Sequence, residues 1–165
     1  MNKLIKNDNN EALYLRAFEM EDEAKLISIR EKSDAFNLTT GNKYYSSKEH
    51  SKKLLSENLF SDGKSLYLMI CLVKNDLPIG YISIINIDQI NKKAQWGGII
   101  IDYSYSGQGY ATLSGRKMLE YAFEELNMNK IYGYWLDSNK SSLRIGEKLG
   151  FVEEGYIRDY VFKSN

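Results

Sequence analysis

Two segments of this 165-residue chain hold residue types whose spacing could do chemistry. The first is Ile99-Ile100-Ile101-Asp102-Tyr103-Ser104-Tyr105-Ser106-Gly107-Gln108-Gly109-Tyr110-Ala111-Thr112, which reads as strand, glycine loop and helix. The first turn of a helix carries backbone N–H groups without intrahelical acceptors and a partial positive charge. Glycines let a ligand approach the main chain with no Cβ in the way. A pyrophosphate placed there would accept several N–H hydrogen bonds without a lysine. The loop lacks the Gly-Lys-Ser/Thr ending of a nucleotide P-loop and the three spaced glycines of the dinucleotide fingerprint. Taken by itself it leaves two readings open, a phosphate site or a tight strand–helix turn.

The second segment is Asp137-Ser138-Asn139-Lys140-Ser141-Ser142-Leu143-Arg144-Ile145-Gly146-Glu147-Lys148-Leu149-Gly150-Phe151. Asn139 has the chemistry of a helix cap, and Gly150 that of a helix stop followed by a core aromatic.

The elements that must position these segments follow from hydrophobic period. Ala12–Ala17 alternates and reads as a strand. Glu19–Arg30 has helical spacing, with acids in its first turn where they suit the helix dipole. Lys32–Ser47 reads as loop and Ser47–Leu59 as a helix. Leu66–Val73, Ile79–Ile87 and Ala94–Asp102 read as strands. The turns between those three are too short for a parallel crossover, so they must be antiparallel neighbours. Tyr110–Leu126 places Gly115, Met118, Leu119, Ala122, Phe123 and Leu126 on one stripe of a helix. Lys130–Leu136 reads as a strand, Asn139–Leu149 as a helix and Phe151–Phe162 as a last strand. The order is a mixed α/β (α+β) arrangement with helices on the faces of a sheet. No repeat or linker divides residues 1–165, so one domain is expected, preceded by a polar stretch over residues 1–11.

Composition narrows the function classes. The chain is 43% hydrophobic and 27% charged, values of an ordinary globular protein and not of a disordered one. Twenty-two basic residues balance 22 acidic ones, which removes the bulk electrostatic case for a nucleic-acid partner. The single cysteine, Cys71, sits in an apolar run and reads as core, and the single histidine, His50, sits in a polar stretch. A histidine-based triad, a cysteine-rich zinc site and a multi-histidine metal site are therefore not expected. No run approaches the ~20 apolar residues of a membrane span. The polar N-terminus is neither signal peptide nor anchor, so a cytoplasmic location is expected.

Together, the two segments resemble the GNAT superfamily of acetyl-CoA-dependent N-acetyltransferases. Gly107-Gln108-Gly109-Tyr110-Ala111-Thr112 resembles the family's pyrophosphate loop, and Asn139-x-x-Ser142…Glu147-Lys148-x-Gly150-Phe151 its second signature. The likeness runs from Leu13-Tyr14-Leu15-Arg16 to Gly155. It is strongest toward the branch holding ribosomal-protein N-terminal and spermidine acetyltransferases. The resemblance implies a mostly antiparallel sheet with one splayed strand pair. Ile99, Ile100 and Ile101 would part from Ile131–Leu136 and pair with the pantetheine arm. Ser106, Gly107, Gln108, Gly109, Tyr110, Ala111 and Thr112 would form the pyrophosphate site, with Asn139 and Ser142 flanking the arm. The implied reaction is direct attack of a primary amine, from a small molecule or a protein N-terminus, on acetyl-CoA. No metal is implied.

Three positions depart from the pattern. Ser106 stands where Gln or Arg is usual. Gly146 stands where a general-acid tyrosine is common, seven residues after the asparagine. Gln95 stands where a strand carboxylate is often found. The expected acid becomes Ser142 and the expected base Asp137, with Glu49 and Tyr134 as alternatives; water and positioning could carry the same roles. The family commonly has one more strand than the segments read here. With Asn165 as the last residue, a partner chain is expected to pair at the open edge, as a homodimer. Gly146 and the short C-terminus also support a different class of function, a catalytically weak acetyl-CoA-binding module acting as sensor or structural relative.

Overall fold

The computed structural model describes residues 5–6, 12–32 and 63–161, with side chains described at 12–29 and 63–161. The expected loop after Lys32, the helix over Ser47–Leu59, His50 and the alternative base Glu49 lie outside the described residues.

Among the described residues, six strands form one sheet in the order β1-β2-β3-β4-β5-β6. They are β1 (Ile5–Lys6), β2 (Ala12–Ala17), β3 (Leu66–Leu72), β4 (Leu77–Asp88), β5 (Lys93–Ile101) and β6 (Lys130–Tyr132). Every neighbouring pair is antiparallel except β5 and β6, which run parallel. That one parallel pair needs a crossover, and helix α2 (Tyr110–Glu124) supplies it. Helix α1 (Glu23–Lys32) follows a short 3-10 turn at Met20–Asp22, and α3 (Lys140–Lys148) follows β6. The polar N-terminal stretch contributes β1, where Ile5 pairs Leu13 and Lys6 pairs Ala12.

Alternation sorts the strand side chains onto two faces. Along β3, Leu68, Ile70 and Leu72 join the larger core, under Leu113, Met118 and Ala122 of α2. Met69 and Cys71 point the other way, to Phe18 and to Leu26 of α1. Cys71 is wholly buried, as its apolar surroundings imply. The helices of the larger face pack tightly: a Cβ on Gly115 of α2 would come within 2.6 Å of the Leu149 side chain beyond α3. Arg16 holds the other face's entry. Its Nη1 and Nη2 each donate to Asp22 at 2.7 Å, and the Glu19 N–H donates to the same carboxylate at 2.9 Å. Burial pushes the Asp22 carboxyl up, and those hydrogen bonds together outweigh it and hold it below the ordinary range.

Two strand expectations need correction. The strand expected over Lys130–Leu136 ends at Tyr132. The strand expected over Phe151–Phe162 is not formed in residues 151–161, which make no backbone ladder. Its residues have the right propensity, but a strand is stable only where a neighbour supplies hydrogen bonds and a face to pack on. Here β6 has already stopped. The segment touches β6 through an ion pair, Lys130 Nζ to Glu154 at 2.8 Å, and the stretch beyond β6 through the Tyr134 and Tyr160 rings, 5.4 Å between centroids. Val152, Tyr156, Ile157 and Tyr160 stay exposed.

The feature that shapes the site is a bulge in β5. Ser83 pairs Gly98, and Ile84 pairs Trp96, so Gly97 is an extra residue without a partner on β4. A side chain on Gly97 would collide with the buried Ser83 hydroxyl, and Gly98 has φ 120°, a conformation that favours glycine. Pairing of β5 with β6 ends at Gln95 and Tyr132, one residue before the bulged stretch. From there the two strands part, and among the described residues 133–136 continue without a strand partner. A bulge bends and twists the strand that carries it, which accounts for the parting.

Candidate active site

The parted strands leave one edge of β5, from Trp96 to Ile101, without a strand beside it among the described residues. This edge carries Ile99, Ile100 and Ile101, and it leads straight into the glycine loop. Asp102 ends the strand. Its N–H donates to the Ile79 carbonyl at 2.7 Å, and its carboxylate accepts the Ser104 N–H at 3.2 Å. The carboxylate also receives Lys25 Nζ of α1 at 2.8 Å. That hydrogen bond, helped by Ser104, holds the buried Asp102 carboxyl below the ordinary range against the opposing effect of burial. A 3-10 turn at Tyr103–Tyr105 follows, and the Gln108 side-chain amide donates to the Ser104 carbonyl at 3.1 Å.

Gly107 and Gly109 have φ 74° and 83°. A Cβ on either would meet nothing within 4 Å, so their conformation, not crowding, calls for glycine. Gly109 is the N-cap of α2 and offers no side-chain acceptor to the helix. The first intrahelical bond is Leu113 N–H to the Gly109 carbonyl, at 3.0 Å. The N–H groups of Ala111 and Thr112 therefore have no intrahelical acceptor, and no acidic residue sits in this first turn. Ser106, Gly107, Gln108 and Gly109 are all exposed. The end of β5 thus opens onto a positive, uncapped helix terminus suited to an anion.

Helix α3 begins differently. The Asn139 side-chain oxygen accepts the Ser142 N–H at 3.0 Å, a true N-cap. Ser142 is half-buried in the first turn. Asp137 is an exposed residue in the turn between Leu136 and Asn139. Tyr134 is exposed and packs its ring on Tyr132 and Tyr160. Gln95 accepts a hydrogen bond from the Asn86 side chain at 2.9 Å. Among the described residues no group of three His, Cys, Asp or Glu could hold a metal ion, and no helix is long and apolar enough to cross a membrane.

The model of the acetyltransferase (GNAT) domain matches residues 12–152. This chain belongs to the GNAT acetyltransferase family. Its match to YdaF of Bacillus subtilis, which carries the name of a ribosomal N-acetyltransferase, is 40% identical over 83 residues. That match spans 50% of this chain and 45% of YdaF, under half of that relative's length. The spermidine N(1)-acetyltransferase of Vibrio cholerae is 29% identical over 118 residues, covering 72% of this chain and 66% of that enzyme. A crystal structure of the Vibrio enzyme in complex with CoA and spermine superposes with a TM-score of 0.83 at 26% identity, covering 92% of this chain and 88% of that one. A dodecameric form of the same enzyme superposes at 0.72 and 26% identity, covering 88% and 82%.

Within this GNAT fold, sequence reasoning found the loop and the α3 cap but missed three features. The Gly97 bulge had a local signal, two adjacent glycines inside a strand. The Lys25–Asp102 pair spans 77 positions and has none. The third is Trp135, whose indole lies beside Gly146. A Cβ at Gly146 would stand 3.4 to 3.7 Å from the ring, so the position expected to carry a tyrosine is faced by an aromatic from β6's continuation.

Proposed function

We propose that this GNAT enzyme transfers the acetyl group of acetyl-CoA to a primary amine of a small polyamine. The observation that carries this reading is the parting of β5 and β6 toward the uncapped start of α2. The open edge of β5 is suited to pair with the pantetheine arm. The amides from Gln108 through Thr112, at the uncapped start of α2, are where a pyrophosphate would be stabilised. The likeness to the Vibrio enzyme bound to CoA and spermine supports a polyamine over a protein N-terminus.

In the reaction the amine nitrogen attacks the thioester carbonyl carbon. A C–N bond forms and the C–S bond breaks. A main-chain N–H among Ile99, Ile100 and Ile101 stabilises the developing oxyanion. The proton leaving the nitrogen passes to Asp137, directly or through water. The Ser142 hydroxyl, which makes no hydrogen bond among the described residues, gives a proton to the departing thiolate and regains one from solvent. We place the enzyme in the cytoplasm as a homo-oligomer. Its exposed Val152, Tyr156, Ile157 and Tyr160 offer an apolar surface for a second copy.

Acetyl-CoA consumption against spermidine, spermine, aminoglycosides, amino sugars and N-terminal peptides tests the proposal. Polyamines should give the highest kcat/KM. Ser142→Ala should lower kcat by about 100-fold, the low end for a general acid, with KM for acetyl-CoA unchanged. Full-rate turnover by Ser142→Ala would remove Ser142 from the acid role. CoA binding without turnover of any amine would overturn the activity.

A further inference from the structure

The wedge between β5 and β6 is walled by aromatic rings where the two strands part. Beyond Tyr132 the chain continues as Gly133-Tyr134-Trp135, and Trp135 shares the larger core's side with Ile131. Its benzo edge lies back over Gly133: a Cβ there would come 2.7 Å from Cη2 and 2.9 Å from Cζ3, and 3.1 Å from the Cβ of Trp96 on β5. Its other edge reaches α3, with Cζ2 and Nε1 3.4 and 3.7 Å from where a Gly146 Cβ would stand. Phe151 packs against both tryptophans, at ring-centroid separations of 5.0 Å from Trp135 and 5.6 Å from Trp96. One indole therefore bridges the parting point and α3, seated on two positions that carry no side chain.

We propose that Trp135 fixes the acyl length of the donor, admitting acetyl and excluding longer acyl groups. The inference rests on the reading that the thioester lies along the β5 edge with its carbonyl at Ile99, the end of that triplet nearer the bulge, so that its acyl end points toward the parting point beyond Gln95 and Tyr132. There the Trp96–Trp135–Phe151 wall takes up the volume that further methylenes would need. Close-packed aromatic walls do not yield such space without strain. Trp135 Nε1 donates no hydrogen bond among the described residues, so a smaller apolar side chain would orphan no polar partner. Trp135→Val would leave a cavity against Gly133 and Gly146 that a longer acyl chain can fill, and each methylene buried there is worth roughly fourfold in affinity.

The test is kcat/KM for acetyl-, propionyl- and butyryl-CoA, with a polyamine acceptor, in the wild type and in Trp135→Phe, Trp135→Leu and Trp135→Val. The ratio of two donors measured on one sample does not depend on how much of that sample is folded. A merely structural role would leave it unchanged. The butyryl-to-acetyl ratio should rise in the order Phe, Leu, Val, by about tenfold or more at the largest step. Trp135→Phe retains a ring and keeps the series informative if Trp135→Val fails to fold. Wild-type ratios throughout, with acetyl transfer intact, would overturn the role of Trp135 alone. A wild type that binds CoA and transfers no acyl group would overturn the activity and this inference with it.

Discussion

The two helices that flank the wedge begin in opposite ways. Helix α3 is capped by its own chain, because the Asn139 side chain accepts the Ser142 N–H at 3.0 Å. Helix α2 does not: its N-cap is Gly109, in a left-handed conformation with no side chain to give. Two segments that look alike in sequence, each a polar run before a helix, thus do different work. One spends its donors internally and holds the fold, and the other keeps them for a ligand. The uncapped terminus forgoes stabilisation of about 1 kcal/mol that a capping side chain would contribute. That cost is intelligible if a phosphate group takes the cap's place.

The largest effect should come from closing the open end. Thr112→Glu sets a carboxylate in the first turn of α2, where it interacts favourably with the helix dipole. Thermal stability should be unchanged or slightly raised, whereas KM for acetyl-CoA should rise roughly 10- to 100-fold, the scale of charge-assisted hydrogen bonds lost. A raised melting temperature with unchanged KM would mean that the α2 terminus holds no phosphate. The converse substitution is Asn139→Ala at the capped end. It should destabilise by about 1 kcal/mol in denaturant unfolding and alter KM for acetyl-CoA less than Thr112→Glu does. A larger KM effect from Asn139→Ala would make the two helix starts functionally alike.

The smallest effect concerns the strut beneath the loop. Lys25 holds the Asp102 carboxyl below its unfolded value, so this pair contributes stability that is present above the ordinary carboxylate pKa, about 3.9, and is lost as pH falls through the lower folded value. In melting-temperature profiles, wild type should lose stability below about pH 4 more steeply than Asp102→Asn. Parallel profiles would show that the pair contributes nothing.

How much of this was legible in the sequence follows the range of the interactions. The antiparallel run of β3, β4 and β5 was readable because short turns permit nothing else. The α2 stripe and the Asn139 cap were readable because both are local. Gly107 and Gly109 announced an unusual backbone, although residue types alone left a turn and a phosphate site equally open. The parting of β5 from β6 entered only through resemblance, and its cause, the Gly97 bulge against Ser83, depends on register across two strands. Lys25 and Asp102 lie on different elements, and no local pattern joins them. Phe151–Phe162 misled for the opposite reason: strand-like composition describes a preference, and a strand also needs a neighbour. Trp135 was unreadable because Gly133 and Gly146 form its seat only after β6 and α3 have packed.

The most direct examination is a CoA titration of the 15N-labelled protein, followed by amide NMR. The amides of Gly107, Gly109, Ala111 and Thr112 should move together with those of Trp96 through Ile101, while those of β2 and β3 stay still. Saturable CoA binding that leaves the Gly107–Thr112 amides in place would contradict the account.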